Sequence, residues 1–132
     1  MPNFKYLSPE WAAEALRRLR AELSPEKMKH LTSSMMTVYT HCPDGKTRAV
    51  YYGLKEGAFA QLTVVEGEPP EAEFVIKGEY ATFAQISRAE LKSRKALMSG
   101  KLELKGNLVK ALSLAVIVDR LNEVLATIPT DY

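Results

Sequence analysis

The last third of the chain combines a strand pattern with an unusually apolar helix pattern. Residues 101–105 alternate polar and apolar side chains, which predicts a strand with one solvent-facing side. Gly106 ends that strand, and Asn107 is a favourable N-cap for a helix predicted from Leu108 to Ile128.

That predicted helix has two apolar stripes. The first contains Leu114, Ile117, Val118, Leu121, Val124, Leu125 and Ile128, and the second, nearly opposite, contains Leu108, Leu112, Ala115 and Val116. Because the first half of the helix is apolar all round, we expect it to be buried on two sides. One side can cover a sheet, and the other requires a second helix, another subunit or an apolar ligand.

The remaining pattern predicts a single α+β domain over residues 1–132. Ser8-Pro9-Glu10 and Ser24-Pro25-Glu26 both have the signals of a helix start, which predicts two helices within residues 8–31. Within residues 33–128, strands are predicted at 35–41, 47–54, 59–65, 72–77 and 101–105, with helices at 80–86, at 87–98 from a Ser87/Glu90 capping box, and at the end. We therefore predict a five-stranded, mostly antiparallel sheet with helices packed on one face.

Composition and charge exclude several classes of protein. The 132 residues include 18 basic and 16 acidic side chains, a net charge of +2, which is too small for a typical nucleic-acid-binding protein. The lone Cys42 cannot form an intrachain disulfide and fits a reducing compartment.

The first residues lack a signal-peptide pattern, and the longest strictly apolar run, Leu114–Val118, is too short to span a bilayer. We expect a cytoplasmic protein.

The residues that could carry catalysis do not form a recognisable arrangement. Adjacent residues on a strand point to opposite faces, so His41 and Cys42 are not expected to form a catalytic dyad. The two histidines, His30 and His41, lack metal-ligand spacing. We expect Asp119, on the last helix, to be solvated or paired with an arginine rather than to hold a ligand headgroup. The sequence predicts no enzyme activity, no metal and no cofactor.

A set of apolar side chains is the more informative candidate site. Its members share strand faces or lie on the helices expected to cover them: Phe74, Ile76, Phe83, Leu102, Leu104, Leu108, Leu112, Ala115 and Val116. From the residues alone, this set either packs as an ordinary filled core or surrounds a cavity.

Residues 100–114 resemble the closing signature of the sterol carrier protein type 2 domain. The matching stretch is Gly-Lys-Leu-x-Leu-x-Gly-Asn from Gly100, followed by Lys-Ala-Leu-Ser-Leu from Lys110. Residues 72–76 and 80–91 are similar to the fourth strand and the crossover helices of that family, and the resemblance covers about residues 31–128. Ala96-Leu97 departs from the Ala-Phe often found in the family.

The resemblance implies a sheet and helices that enclose an apolar cavity for sterols, fatty acids, acyl-CoA or other lipids, which are bound without being transformed. Under this interpretation Phe74, Ile76, Leu102 and Leu104 form the floor, Leu108, Leu112, Ala115 and Val116 form the wall, and Phe83 shapes the entrance. The lipid would be held by buried area, at about 0.8 kcal/mol per methylene.

An alternative remains open, in which the spare apolar stripe closes a homodimer or docks on an enzyme of lipid or quinone biosynthesis. Basic residues cluster at Arg17, Arg18, Arg20, Lys27 and Lys29, and at Arg88, Lys92, Arg94 and Lys95. These clusters are either solvated helix faces or sites of transient contact with an anionic membrane.

Overall fold

The computed structural model describes residues 3–65, 71–88 and 90–131. Its elements are β1 (Phe4–Lys5), α1 (Pro9–Glu22), β2 (Ser33–Thr40), β3 (Arg48–Lys55), β4 (Ala58–Val65), β5 (Phe74–Glu79), α2 (Tyr80–Ser87), α3 (Ser93–Met98), β6 (Leu102–Lys105), α4 (Leu108–Ser113), α5 (Ala115–Leu125) and β7 (Thr130–Asp131).

The main sheet has five strands in the order β4-β3-β2-β5-β6. Strands β2 and β5 run parallel, and the other three neighbouring pairs run antiparallel. This arrangement confirms the predicted α+β fold with a mostly antiparallel five-stranded sheet. Strands β1 and β7 form a separate parallel pair that the sequence pattern did not predict.

The first predicted helix is confirmed, and the second is wrong. Helix α1 begins after Ser8, whose Oγ accepts a hydrogen bond from the Trp11 N–H at 3.1 Å. Its buried side packs against β4 and α5. Residues 25–30 form turns instead of a helix, because Lys29 and His30 have left-handed φ values of 54° and 51°. This turn segment still places Met28 in the core, with 0% of its surface exposed.

The predicted capping box at Ser87 is also wrong. Ser87 ends α2 and is buried, and its hydroxyl lies 2.7 Å from the Tyr6 hydroxyl, so it cannot cap a following helix. Helix α3 begins six residues later at Ser93. Its N-cap residue, Lys92, makes no side-chain capping bond, and Asp119 of α5 instead bonds the first residue of the helix. The Asp119 Oδ1 accepts hydrogen bonds from the Ser93 hydroxyl at 3.0 Å and from the Ser93 N–H at 3.4 Å. Asp119 therefore bonds a serine and not an arginine.

The predicted long C-terminal helix is divided into α4 and α5 at Leu114, which has φ −94° and ψ 0°. The Asn107 N-cap is confirmed, since its Oδ1 accepts from the Lys110 N–H at 3.0 Å. Helix α5 buries Ile117 and Leu121 as expected. All six residues of α4 are exposed or half-buried, so the expectation that this half is buried on two sides is wrong.

Candidate functional site

An apolar pocket of about 80 Å³ lies between the main sheet and the C-terminal helices. Strand register explains its floor. Met35 of β2 pairs with Tyr52 on one side and with Phe74 on the other, and Ile76 pairs with Leu104. Because alternate residues of a strand share a face, all five side chains lie on the helix-covered face of the sheet.

The walls come from three helices and from the turn segment at 25–30. Their apolar residues are Met28, Leu31, Leu97, Ala111, Leu112, Leu114, Ala115, Ile117, Val118 and Leu121. Polar side chains also reach the lining, at Ser33, Ser34 and Ser93, together with the exposed Arg94. The pocket therefore offers an almost wholly apolar surface, with its one charged side chain at an exposed position.

The structure brings together six of the nine residues predicted from the sequence. Phe74, Ile76, Leu102, Leu104, Leu112 and Ala115 line the pocket. Phe83 lines a smaller adjoining pocket of about 30 Å³ instead. Leu108 and Val116 are 50% and 56% exposed and do not line the pocket. Val116 lies beyond the change of conformation at Leu114, on a different helix from Leu112, and Leu108 is the first residue of α4.

The smaller pocket borders a chain of buried hydroxyl groups. Tyr6 donates a hydrogen bond to the Tyr39 hydroxyl at 3.4 Å, and Thr37 donates to the same oxygen at 3.3 Å. Burial raises the pKa of the Tyr6, Tyr39 and Tyr52 hydroxyls above their ordinary value, so these groups stay neutral. The hydroxyl groups that border the smaller pocket are therefore uncharged.

An ion pair fixes α4 beside the pocket. The Lys110 ammonium donates to the Glu73 carboxylate, which also accepts from the Ser33 hydroxyl at 2.6 Å. Lys110 first, and then Ser33, lower the pKa of the Glu73 carboxyl. Lys110 Nζ also lies 5.9 Å from the centroid of the Phe74 ring. These contacts connect α4 to β2 and to the beginning of β5.

Several lining residues were missed by sequence reasoning. Met35, Tyr52 and Leu54 belong to the first two long strands, and Met28 belongs to the turn segment at 25–30. Period-two alternation does indicate that Tyr52 and Leu54 share a face. It does not indicate that this face continues onto Phe74, which depends on the parallel pairing of β2 with β5.

The candidate catalytic residues remain apart. His41 lies just after β2 with φ 55° and is exposed, whereas Cys42 is buried with its Sγ 3.6 Å from the Tyr39 carbonyl oxygen. Within residues 3–65, 71–88 and 90–131, no group of three or more His, Cys, Asp or Glu side chains could hold a metal ion. Among the same residues, no helix is long and apolar enough to cross a membrane.

The model of the SCP-2 sterol transfer family matches residues 5–119. The chain belongs to this family. A crystal structure of sterol carrier protein 2 is similar to it, with a TM-score of 0.81, 29% identity, and coverage of 94% of this chain and 99% of that one. A possible sterol carrier protein from Thermus thermophilus has a TM-score of 0.77 and 27% identity, with coverage of 99% and 94% respectively.

A third structure, the UbiJ-SCP2 ubiquinone synthesis protein, shares the fold alone, with a TM-score of 0.53, 15% identity, and coverage of 86% of this chain and 96% of that one. A search of curated proteins found no match. Membership of the family supports lipid binding or transfer as the class of function.

Proposed function

We propose that the protein is a non-enzymatic carrier that binds a hydrophobic ligand between its sheet and helices α4 and α5. The ligand class is a fatty acid, an acyl-CoA or another lipid with an aliphatic chain. The observation that carries the proposal is the apolar pocket of about 80 Å³, which these helices leave unfilled. Family membership and the similarity to sterol carrier proteins support it. A cytoplasmic location stays a prediction.

Buried area would supply the affinity. Each methylene removed from water contributes about 0.8 kcal/mol, so about ten methylenes supply several kcal/mol before ordering costs. The pocket is too small to enclose a chain of that length as it stands. The remainder of the chain would pass beneath α4, where the lining residues Ala111 and Leu112 are only half-buried.

A matched pair of variants on α4 tests the proposal. Leu112→Glu places a charge in the pocket lining, and Leu108→Glu places the same charge on the same helix outside the lining. We expect Leu112→Glu to abolish binding of a fluorescent fatty acid and Leu108→Glu to leave it unchanged. Solvent extraction of the purified protein followed by mass spectrometry should release a lipid from the wild type. Failure to find lipid or fatty-acid binding in the wild type would contradict the proposal.

The exposed apolar residues of α4 favour a second candidate, a homodimer or an accessory subunit of a biosynthetic enzyme. Leu108 and Val109 are 50% and 79% exposed on one short helix. Light scattering after size exclusion separates the candidates. A dimer that Leu108→Glu dissociates into folded monomers would support the interaction module, and a monomer that binds lipid at every concentration would remove the dimer.

A further inference from the structure

The smaller pocket lies deeper in the protein than the larger one and shares a wall with it. Seven residues line both pockets, among them Tyr52 and Leu102. Six residues line only the smaller pocket, and all of them except the half-buried Asn122 are buried. The larger pocket, by contrast, is bordered by half-buried residues of α4 and by the exposed Arg94. A chain that enters beside α4 would therefore reach the smaller pocket last.

Uncharged polar side chains line nearly half of the smaller pocket. Six of its 13 lining residues carry a hydroxyl or amide group: Thr37, Tyr39, Tyr52, Ser87, Ser93 and Asn122. None of the residues that the structure places around this pocket has a charged side chain. The pocket can therefore form hydrogen bonds to a ligand, but it cannot neutralise an anion.

The buried hydroxyl groups at this pocket form long hydrogen bonds with one another. The Tyr39 oxygen accepts from Tyr6 at 3.4 Å and from Thr37 at 3.3 Å, whereas an O–H···O bond is ordinarily about 2.7–2.8 Å long. Thr37 has a single hydroxyl proton, and its hydroxyl also lies 3.4 Å from the Val50 carbonyl oxygen. The Tyr6 and Ser87 oxygens, at 2.7 Å, are at the ordinary distance. A better-placed partner would strengthen the bonds of Tyr39 and Thr37.

The Asn122 side chain adds hydrogen-bonding groups on the opposite side, from helix α5. Its amide has no hydrogen-bond partner in the part of the chain that the structure describes. An amide has two donor hydrogens, and a hydroxyl oxygen has two lone pairs. The smaller pocket therefore offers donors and acceptors together, and a ligand hydroxyl group can use both kinds.

We propose that the smaller pocket binds the hydroxyl group of a long-chain primary alcohol, whose aliphatic chain occupies the larger pocket. This inference rests on the proposed carrier function and assigns a ligand class to it. The volume of about 30 Å³ admits a group such as CH₂OH, whereas benzene binds in a cavity of about 150 Å³. A head group that carries a ring is therefore too large for this pocket.

The same pocket disfavours a carboxylate. A fatty acid bound with its head group in this position would bury a charge with no cation beside it, which is strongly unfavourable. A fatty acid should therefore bind in the opposite direction, with its carboxylate on the exposed side near Arg94 and its methyl end in the smaller pocket.

Displacement of a fluorescent fatty acid from the delipidated protein tests the proposal. The two competitors are 1-dodecanol and 1-methoxyundecane, which have the same number of heavy atoms, although only the alcohol has a hydroxyl proton. The wild type should bind the alcohol about tenfold more tightly than the ether, because one well-made hydrogen bond contributes about that factor.

Tyr39→Phe and Tyr51→Phe form a matched pair, since each removes one phenolic hydroxyl group. Tyr39 lines the smaller pocket. Tyr51 precedes the lining residue Tyr52 on β3, lies on the other face of the sheet and lines neither pocket. Tyr39→Phe should reduce the ratio of alcohol to ether affinity about tenfold, to near unity, and Tyr51→Phe should leave that ratio unchanged. Circular dichroism should show that both variants are folded.

The direction of binding can be measured on the wild type alone. With 1-dodecanol labelled with ¹³C at the carbon that bears the hydroxyl group, nuclear Overhauser contacts should join that methylene to the ring protons of Phe83 and Tyr39. With dodecanoic acid, the terminal methyl group should make these contacts instead, because its carboxylate stays outside.

These measurements separate the hydroxyl site from the carrier function. If the wild type binds the fluorescent fatty acid but has equal affinity for alcohol and ether, the hydroxyl site is overturned and the carrier function stands. An equal change of the affinity ratio in both variants, or ring contacts from the methyl end of the alcohol, would also overturn the site. If the wild type binds neither fatty acid nor alcohol, the carrier function fails, and the hydroxyl site fails with it.

Discussion

Filling the pocket should stabilise the empty protein and weaken ligand binding at the same time. Ala115 is 8% exposed and lines the pocket, so Ala115→Leu directs three additional carbon atoms into it. At about 0.8 kcal/mol per buried carbon, the gain is about 2 kcal/mol. The volume of the pocket gives the same gain in stability. A cavity costs about 24 cal/mol per Å³, so filling this pocket of about 80 Å³ should recover about 2 kcal/mol.

Urea unfolding of the delipidated protein measures the first effect, and displacement of a fluorescent fatty acid measures the second. An imperfect fit would reduce the gain to about 1 kcal/mol. A ligand excluded from the same space loses about 2 kcal/mol, which corresponds to an affinity about 30-fold lower. Ala84→Leu is the matched control. Ala84 is 3% exposed on α2 and does not line the pocket, so the larger side chain should overpack the core and destabilise the protein by about 1–3 kcal/mol.

The comparison between the two leucine variants decides the result. If Ala115→Leu destabilises the protein as much as Ala84→Leu does and leaves fatty-acid affinity unchanged, then the space between sheet and helices is not available in solution. A carrier function based on this pocket would then be excluded.

Three smaller predictions concern the elements around the pocket. Asp119→Ala should lower the free energy of unfolding in urea by about 1 kcal/mol, because it removes the hydrogen bonds from Ser93 at the start of α3; an unchanged midpoint would show that these bonds do not stabilise the protein. Gly57→Ala should lower the free energy of unfolding by more than about 2 kcal/mol, because the new Cβ would lie 2.6 Å from a backbone carbonyl oxygen in a residue with φ +84°. Gly45→Ala is the matched control: Gly45 has a similar φ of +79° but nothing within 4 Å of the new Cβ, so the loss should be about 1 kcal/mol. Equal losses would contradict the steric argument. The pKa of the Glu73 carboxyl is lowered in the folded state, chiefly by Lys110. The ionised carboxylate therefore stabilises the folded protein above the ordinary carboxyl pKa, and this contribution is lost as the pH falls through the lowered pKa. Glu73→Gln should therefore cost at most about 1 kcal/mol at neutral pH and nothing in strong acid, and a cost that persists in acid would argue against the ion pair as its cause.

Local patterns predicted most of the fold because local physics decides most of its elements. Alternation and turn residues placed the first three long strands to within about two residues at each end, and the caps at Ser8 and Asn107 were recognisable from side-chain chemistry. The failures have a common cause, which is a contact with residues distant in the chain. Leu31 directly follows the turn segment at 25–30, and its carbonyl oxygen accepts a hydrogen bond from the Gly57 N–H at 2.8 Å. The Ser87 hydroxyl is likewise bonded to Tyr6 and cannot act as a cap.

The division of the C-terminal helix at Leu114 explains part of the error at the site, because it places Val116 on a different helix from Leu112. A continuous helix would place Leu108, Leu112 and Val116 along one stripe, with a common environment. In the structure Leu112 lines the pocket while Leu108 and Val116 are exposed. Apolar surface left in contact with water is unfavourable for an isolated soluble protein, and contiguous patches of it mark binding surfaces. The excess apolar surface inferred from the sequence is therefore present, but it is shared between the lining of the pocket and an exposed outer surface.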